Sequence, residues 1–71
     1  MILYVRYLPQ EYQDEIREII SKELNETAKV FPIDCDSLLE EAMNSKLSDL
    51  THILGIDKIT EYRKIITSQL S

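Results

Sequence analysis

The strongest constraint in the sequence is an apolar stripe at helical spacing within residues 8–24. An α-helix turns once in about 3.6 residues, so side chains three and four positions apart share one face. Pro9 suits the first helical turn, because the N–H that it lacks would have no partner there. The sequence therefore predicts an amphipathic helix whose apolar face needs a cover. That face consists of Tyr12, Ile16, Ile19, Ile20 and Leu24.

Two short segments that flank this helix are predicted to be β-strands. Residues 2–8 are rich in β-branched and aromatic side chains, which favour extended backbone. Residues 28–33 form the second candidate, with Pro32 at its end or at a sheet edge because proline donates no ladder hydrogen bond. Strand, helix and strand in this order predict a right-handed crossover and a two-stranded parallel sheet.

The second half of the chain is predicted to hold two more amphipathic helices. Ser37 and Glu40 match a capping box at the start of the second helix. Gly55 stands where that helix should end, because glycine readily takes the backbone conformation found after a helix. Asp57 is then the cap of the third helix. The second stripe comprises Leu39, Met43, Leu47, Leu50 and Leu54, and the third comprises Ile59, Tyr62, Ile66 and Leu70.

Together these elements predict one α+β domain over residues 1–71, in the order β-α-β-α-α. Residues 1–34 would form the β-α-β unit and residues 35–71 the helical pair. A chain of 71 residues has a thin core, and its single cysteine excludes an internal disulfide framework. Two strands also leave open edges that a second copy could pair, which predicts a homodimer.

The acidic composition argues against polyanionic partners. The formal net charge is −5, so nucleic acid or anionic lipid would need a local basic patch to bind. No apolar run approaches the roughly 20 residues that cross a bilayer, and Arg6 interrupts the apolar start. We therefore expect neither a signal peptide nor a membrane span. A single cysteine fits a reducing compartment, which predicts the cytoplasm.

The chemically richest stretch is Asp34-Cys35-Asp36-Ser37. A predicted strand followed by Asp-x-Asp resembles the first motif of haloacid-dehalogenase-type phosphatases, which implies a nucleophilic Asp34 and a bound magnesium ion. Asp36-Ser37-Leu38 is similar to the motif of acyl carrier proteins, which implies phosphopantetheine on Ser37. Helix capping accounts for both aspartates without a ligand, so we predict neither a metal nor a cofactor.

Cys35 and His52 are each the only residue of their type in the chain. A cysteine beside a histidine can act as a nucleophile, because the base favours the thiolate. Here the aspartates on both sides of Cys35 oppose the thiolate by like charge, and His52 is predicted to lie on the polar side of the second helix. We therefore predict no catalytic residue and no enzymatic activity.

Two longer stretches resemble known families. Residues 5–11 and the isoleucines that follow are similar to the strand and first helix of ribbon-helix-helix repressors. That resemblance implies a dimer whose paired strands enter the DNA major groove, with Tyr4 and Arg6 as the contacts. Residues 42–59 are similar to a helix and turn of Hha/YmoA-type modulators, which implies a small all-helical protein that binds the nucleoid-associated protein H-NS.

In the absence of a catalytic constellation, we predict a small non-enzymatic regulatory, adaptor or inhibitor protein. It would act through protein–protein contact, as a homodimer. The alternatives are a ribbon-helix-helix-like DNA-binding regulator and an acyl-carrier-like protein modified at Ser37. Tyrosine is common where one end of a side chain is buried and the other is wet, which favours Tyr4 as an anchor. The predicted interaction surface consists of Ile2, Tyr4, Arg6, Leu8, Leu47, Leu50 and Leu54.

Overall fold

The structure is a computed structural model that describes residues 2–70. Over this range the chain is 78% helical and contains no strand, so it forms a small all-helical domain. The predicted α+β fold, β-α-β-α-α with a two-stranded sheet, is wrong. The α-helices are α1 (Gln10–Ala28), α2 (Cys35–Met43), α3 (Thr51–Leu54) and α4 (Ile56–Leu70), and 3₁₀ turns span Val5–Tyr7 and Leu47–Leu50.

The first predicted strand is replaced by an extended segment and the first 3₁₀ turn. Val5 and Leu8 are both buried in the core, and residues three apart on a strand would face opposite sides. A 3₁₀ turn has about three residues per turn, so it brings both side chains to the same side. The extended part makes an isolated antiparallel bridge between Tyr4 and Lys46. Its hydrogen bonds run from the Val5 N–H to the Ser45 carbonyl (3.1 Å) and from the Leu47 N–H to the Leu3 carbonyl (2.9 Å).

The second predicted strand does not form either. α1 runs on to Ala28, beyond the apolar stripe of residues 8–24, and residues 29–34 link it to α2. The backbone N–H groups of Val30 and Phe31 donate to the Thr27 carbonyl at 3.0 and 2.9 Å, which extends the turn at the helix end. High β propensity has no effect where no neighbouring strand is available. The sheet edges that suggested a homodimer are therefore missing from residues 2–70.

The predicted apolar face of the first helix is confirmed. Ile16 and Ile20 are fully buried, and the other three members of the stripe pack against the core. Pro9 was predicted to occupy the first helical position. It is instead the cap residue before α1, and the helix begins one residue later, at Gln10. The Gln13 side-chain amide donates to the Leu8 carbonyl at 2.8 Å and to the Arg6 carbonyl at 3.1 Å. This side chain therefore fixes the first 3₁₀ turn against the start of α1.

The second apolar stripe is largely buried, but it does not lie on one helix as predicted. α2 ends at Met43, because Asn44 and Ser45 use their side chains to cap carbonyls of the last turn, at 2.9 and 2.8 Å. Lys46 then pairs with the N-terminal segment, and the second 3₁₀ turn and α3 complete the path to Gly55. The third stripe is confirmed on α4, except that its last member, Leu70, is exposed.

α4 contacts α1 through the side chains of Tyr62 and Lys58. Tyr62 is buried, and its ring meets Tyr12 edge-on with 6.0 Å between the ring centroids. Within residues 2–70, the Tyr62 hydroxyl has no hydrogen-bond partner. The nearby Glu15 carboxylate is instead held by Lys58, whose Nζ donates at 2.7 Å and lowers the pKa of Glu15. Burial raises the pKa of Tyr62, and the negative charge of Glu15 raises it further.

Removing the Tyr62 hydroxyl should stabilise the protein. A buried polar group without a hydrogen bond costs about 1–3 kcal/mol, so Tyr62→Phe should raise the free energy of unfolding by about 1 kcal/mol in urea denaturation. Because the folded pKa is raised, the wild type should also lose stability as the pH rises above the ordinary tyrosine value of 10.0, and Tyr62→Phe should lose less. Tyr12→Phe, at a half-buried position, is the control. A destabilised Tyr62→Phe would mean that the hydroxyl has a hydrogen-bond partner.

Gly55 begins the turn into α4 with φ 88° and ψ 152°. This region of backbone space is open to glycine and strained for other residues by about 1–3 kcal/mol. Apart from Gly55 and its two neighbours in the chain, no residue has an atom within 4 Å of the position that a Cβ would take, so the backbone alone sets the cost. The prediction that Gly55 ends a helix is confirmed, since it follows the last residue of α3.

Gly55→Ala should therefore lower the free energy of unfolding by about 1–3 kcal/mol, through backbone strain alone. Thermal and urea denaturation would measure the loss. Ser68→Ala is the matched control, because it adds alanine at an exposed position inside α4, where alanine is favoured. Equal stability of Gly55→Ala and the wild type would contradict the conformation described for this turn.

Candidate interaction groove

A groove of about 440 Å³ lies between the N-terminal segment, the second 3₁₀ turn and α4. Its volume falls within the range of about 300–1,000 Å³ that is typical of ligand-binding clefts. The Tyr4–Lys46 bridge forms one wall, and the turn at Gly55 brings α4 back to form the other. The residues that line the groove include Ile2, Leu3, Lys46, Ile56, Ile59 and Arg63.

The groove combines an apolar surface with positive charge. Ile59 is buried, whereas Ile2 and Ile56 are 55% and 63% exposed, so two large apolar side chains meet solvent at its edges. The charged residues among those that line it, Lys46 and Arg63, are both basic. In a chain with a net charge of −5, this groove is a local exception to the acidic surface.

A cluster of aromatic rings and one arginine lies on the N-terminal segment, beside the residues that line the groove. The Arg6 guanidinium carbon lies 4.9 Å from the centre of the Tyr4 ring and 5.6 Å from that of Tyr7. The two rings meet edge-on at 5.5 Å. Residues paired across antiparallel strands share a face, which places Tyr4 beside Lys46. We use the term N-terminal groove for residues of the groove together with Tyr4 and Arg6 of the adjoining cluster: Ile2, Tyr4, Arg6, Lys46, Ile56 and Arg63.

Three members of the predicted interaction surface, Ile2, Tyr4 and Arg6, lie on the N-terminal groove. The other four are buried in the core, and of these only Leu47 is also among the residues that line the groove: Leu8, Leu47, Leu50 and Leu54. Apolar periodicity marks core and interface residues alike, so the sequence could not separate them. Sequence reasoning missed Lys46, Ile56 and Arg63. They are far apart in the chain, and only the bridge and the Gly55 turn bring them together.

Asp34 acts as the cap of α2. Its Oδ2 accepts a hydrogen bond from the Ser37 hydroxyl at 2.8 Å, and its Oδ1 accepts one from the Ser37 N–H at 3.2 Å. These bonds, the hydroxyl first, lower the pKa of Asp34. The helix therefore begins at Cys35, and the predicted capping box at Ser37 and Glu40 is wrong. Within residues 2–70, no group of three or more His, Cys, Asp and Glu side chains is arranged to hold a metal ion.

Cys35 and His52, which were considered above as a nucleophile and its base, lie in different surroundings. Cys35 is half-buried, and its thiol donates to the Leu24 carbonyl of α1 at 3.6 Å. His52 lies on α3 and is exposed. The Cys35 contact joins the start of α2 to the C-terminal part of α1, which suits a structural role for Cys35.

The strand that the ribbon-helix-helix resemblance implies does not form. Arg6 lies in the first 3₁₀ turn, and Tyr4 makes a single bridge within its own chain. Comparisons with protein-family models, curated proteins and solved structures find no match. None of the helices in residues 2–70 has both the length and the hydropathy needed to cross a membrane.

The low pKa of Asp34 generates a prediction about acid stability. A folded pKa below the ordinary value of 3.8 contributes stability that is present above that value and is lost as the pH falls through the folded pKa. Asn caps helices about as well as Asp but does not titrate. Asp34→Asn should therefore lose less stability than the wild type when thermal unfolding is compared at neutral and acidic pH. Asp49→Asn is the charge-matched control, and equal acid sensitivity of the wild type and Asp34→Asn would contradict the prediction.

Proposed function

We propose that this chain is a small non-enzymatic regulatory or adaptor protein that binds an acidic, apolar peptide segment of a partner protein. The observation that carries the proposal is the composition of the N-terminal groove. Exposed Ile2 and Ile56 lie beside Lys46 and Arg63, and these two cations are the charged residues that line it. A segment with apolar side chains and carboxylates complements both features.

Burial of the two isoleucines would supply affinity. Removal of apolar surface from water contributes roughly 25 cal/mol per Å², and Ile2 and Ile56 have more than half of their surface exposed. The groove also presents a concave surface, so a bound side chain would be covered on more than one side. Apolar contact of this kind is favourable for any partner, so it does not by itself select an acidic one.

The basic residues would supply specificity. Carboxylates form charge-assisted hydrogen bonds with lysine and arginine that are about twice as strong as neutral ones. The net charge of −5 opposes an acidic partner at long range, but at physiological salt charges are screened beyond about 8 Å. Contacts inside the groove are much shorter than that distance, so the local cations outweigh the distant acidic surface.

The arginine and tyrosine cluster is suited to a contact surface. The exposed Arg6 side chain is already held by its contacts with the Tyr4 and Tyr7 rings, so it has little rotamer freedom to lose on binding. Tyrosine and arginine are also enriched among the residues that dominate interface energies. We further propose the cytoplasm as the compartment, because the single cysteine fits a reducing environment.

The proposal can be tested by fluorescence anisotropy with short labelled peptides. The peptides share one apolar centre and differ only in flanking residues, which are glutamate, serine or lysine. We expect the glutamate peptide to bind tightest and to weaken as salt is added. Lys46→Glu and Arg63→Glu should each weaken binding roughly tenfold, since each removes a charge-assisted contact.

Lys22→Glu is the matched control, because it makes the same change of charge at an exposed position on α1 outside the groove. It should bind the glutamate peptide within about twofold of the wild type. Circular dichroism would check that each variant keeps its helices. Equal binding of the lysine and glutamate peptides, or unchanged binding by Lys46→Glu, would contradict the proposal.

A further inference from the structure

We infer that the N-terminal groove is filled by the link between α1 and α2 of a second copy of this chain. This inference rests on the proposed function and names the partner. The segment concerned is residues 30–36, Val-Phe-Pro-Ile-Asp-Cys-Asp, which spans most of the link and the first two residues of α2. It has the two properties that the groove requires, a run of apolar side chains followed by acidic ones.

The apolar part of this segment is unusually open to solvent. Val30 and Phe31 are 73% and 61% exposed, and Pro32 beside them is exposed as well. Phe31 is the only phenylalanine in the chain, and the core is built without it. Large apolar side chains that lie together at a surface mark interaction sites more often than isolated ones do.

The acidic part is available to cations of another molecule. Asp36 is exposed. The ion pairs within residues 2–70 are Lys29 with Glu26 and Lys58 with Glu15, so neither involves Asp36 or a basic residue of the groove. Lys46 and Arg63 of the groove therefore have no acidic side chain of residues 2–70 in their own copy at salt-bridge distance. Contact between the segment and the groove would bring the Asp36 carboxylate to these cations, while Phe31 enters between the two exposed isoleucines.

A single copy cannot make this contact with itself. The segment lies beyond the end of α1, whereas the first 3₁₀ turn is fixed against its start by Gln13. A helix of 19 residues is about 28 Å long, so α1 holds the two surfaces apart. The contact is thus between different surfaces of two copies, and either a reciprocal pair or a head-to-tail series satisfies it.

Sedimentation velocity on the full chain tests this inference with two variants that each lack one surface. Lys46→Glu/Arg63→Glu reverses the charge of the groove and leaves the segment unchanged. Phe31→Ser removes the aromatic side chain of the segment and leaves the groove unchanged. We expect the wild type to self-associate with rising concentration and each variant alone to stay monomeric. Because each variant retains what the other lacks, their equimolar mixture should form a one-to-one dimer, with twice the mass of either.

Matched controls separate these surfaces from general effects of charge and polarity. Arg17→Glu/Lys22→Glu repeats the charge reversal on the exposed face of α1, and Ile53→Ser repeats the loss of an exposed apolar side chain on α3. Both should self-associate like the wild type. Circular dichroism and urea unfolding would confirm that all four variants fold.

Two results would overturn the inference: a wild type that stays monomeric at every concentration, or a mixture that associates no better than its components. The peptide titration then separates the two proposals. If the wild type is monomeric but the glutamate peptide still binds the groove, the second copy is the wrong partner and the proposed function stands. If that peptide also fails to bind, both proposals fail.

Discussion

The fold depends on one small backbone contact, the antiparallel bridge between Tyr4 and Lys46. Its two hydrogen bonds join the start of the chain to the segment that follows α2. Each such bond contributes about 0.5–1.5 kcal/mol, but the bridge also determines where neighbouring elements can lie. It positions Val5 in the core, and its residue Lys46 lies between α2 and α3 and lines the N-terminal groove.

The longest helices could be predicted because their signal is local. In α1 and α4, apolar residues recur at the helical period, and the buried positions Ile16, Ile20, Ile59 and Ile66 follow that period. The two strands could not be judged in the same way, because β propensity measures how well a residue packs on a sheet. Residues 28–33 have the composition of a strand but find no partner. In residues 2–8 the spacing of Val5 and Leu8 favours a turn.

The candidate site was only partly visible in the sequence for a related reason. Tyr4 and Arg6 are close in sequence, so an aromatic and basic surface near the start could be proposed from composition. Lys46 and Arg63 join them only through contacts between distant parts of the chain. Leu8, Leu47, Leu50 and Leu54 were assigned to a surface because the apolar surface looked large for the core of so short a chain. The helical fold covers them instead.

The bridge also has a consequence for synthesis on the ribosome. Tyr4 is made about forty residues before Lys46, so at about 5–20 residues per second the N-terminal segment waits roughly two to eight seconds for its partner. α1 can form during this delay, since its hydrogen bonds are local. The backbone groups of Leu3 and Val5 that form the bridge stay unpaired until the residues after α2 emerge. The segment that is translated first is therefore paired only after α1 and α2 have been made.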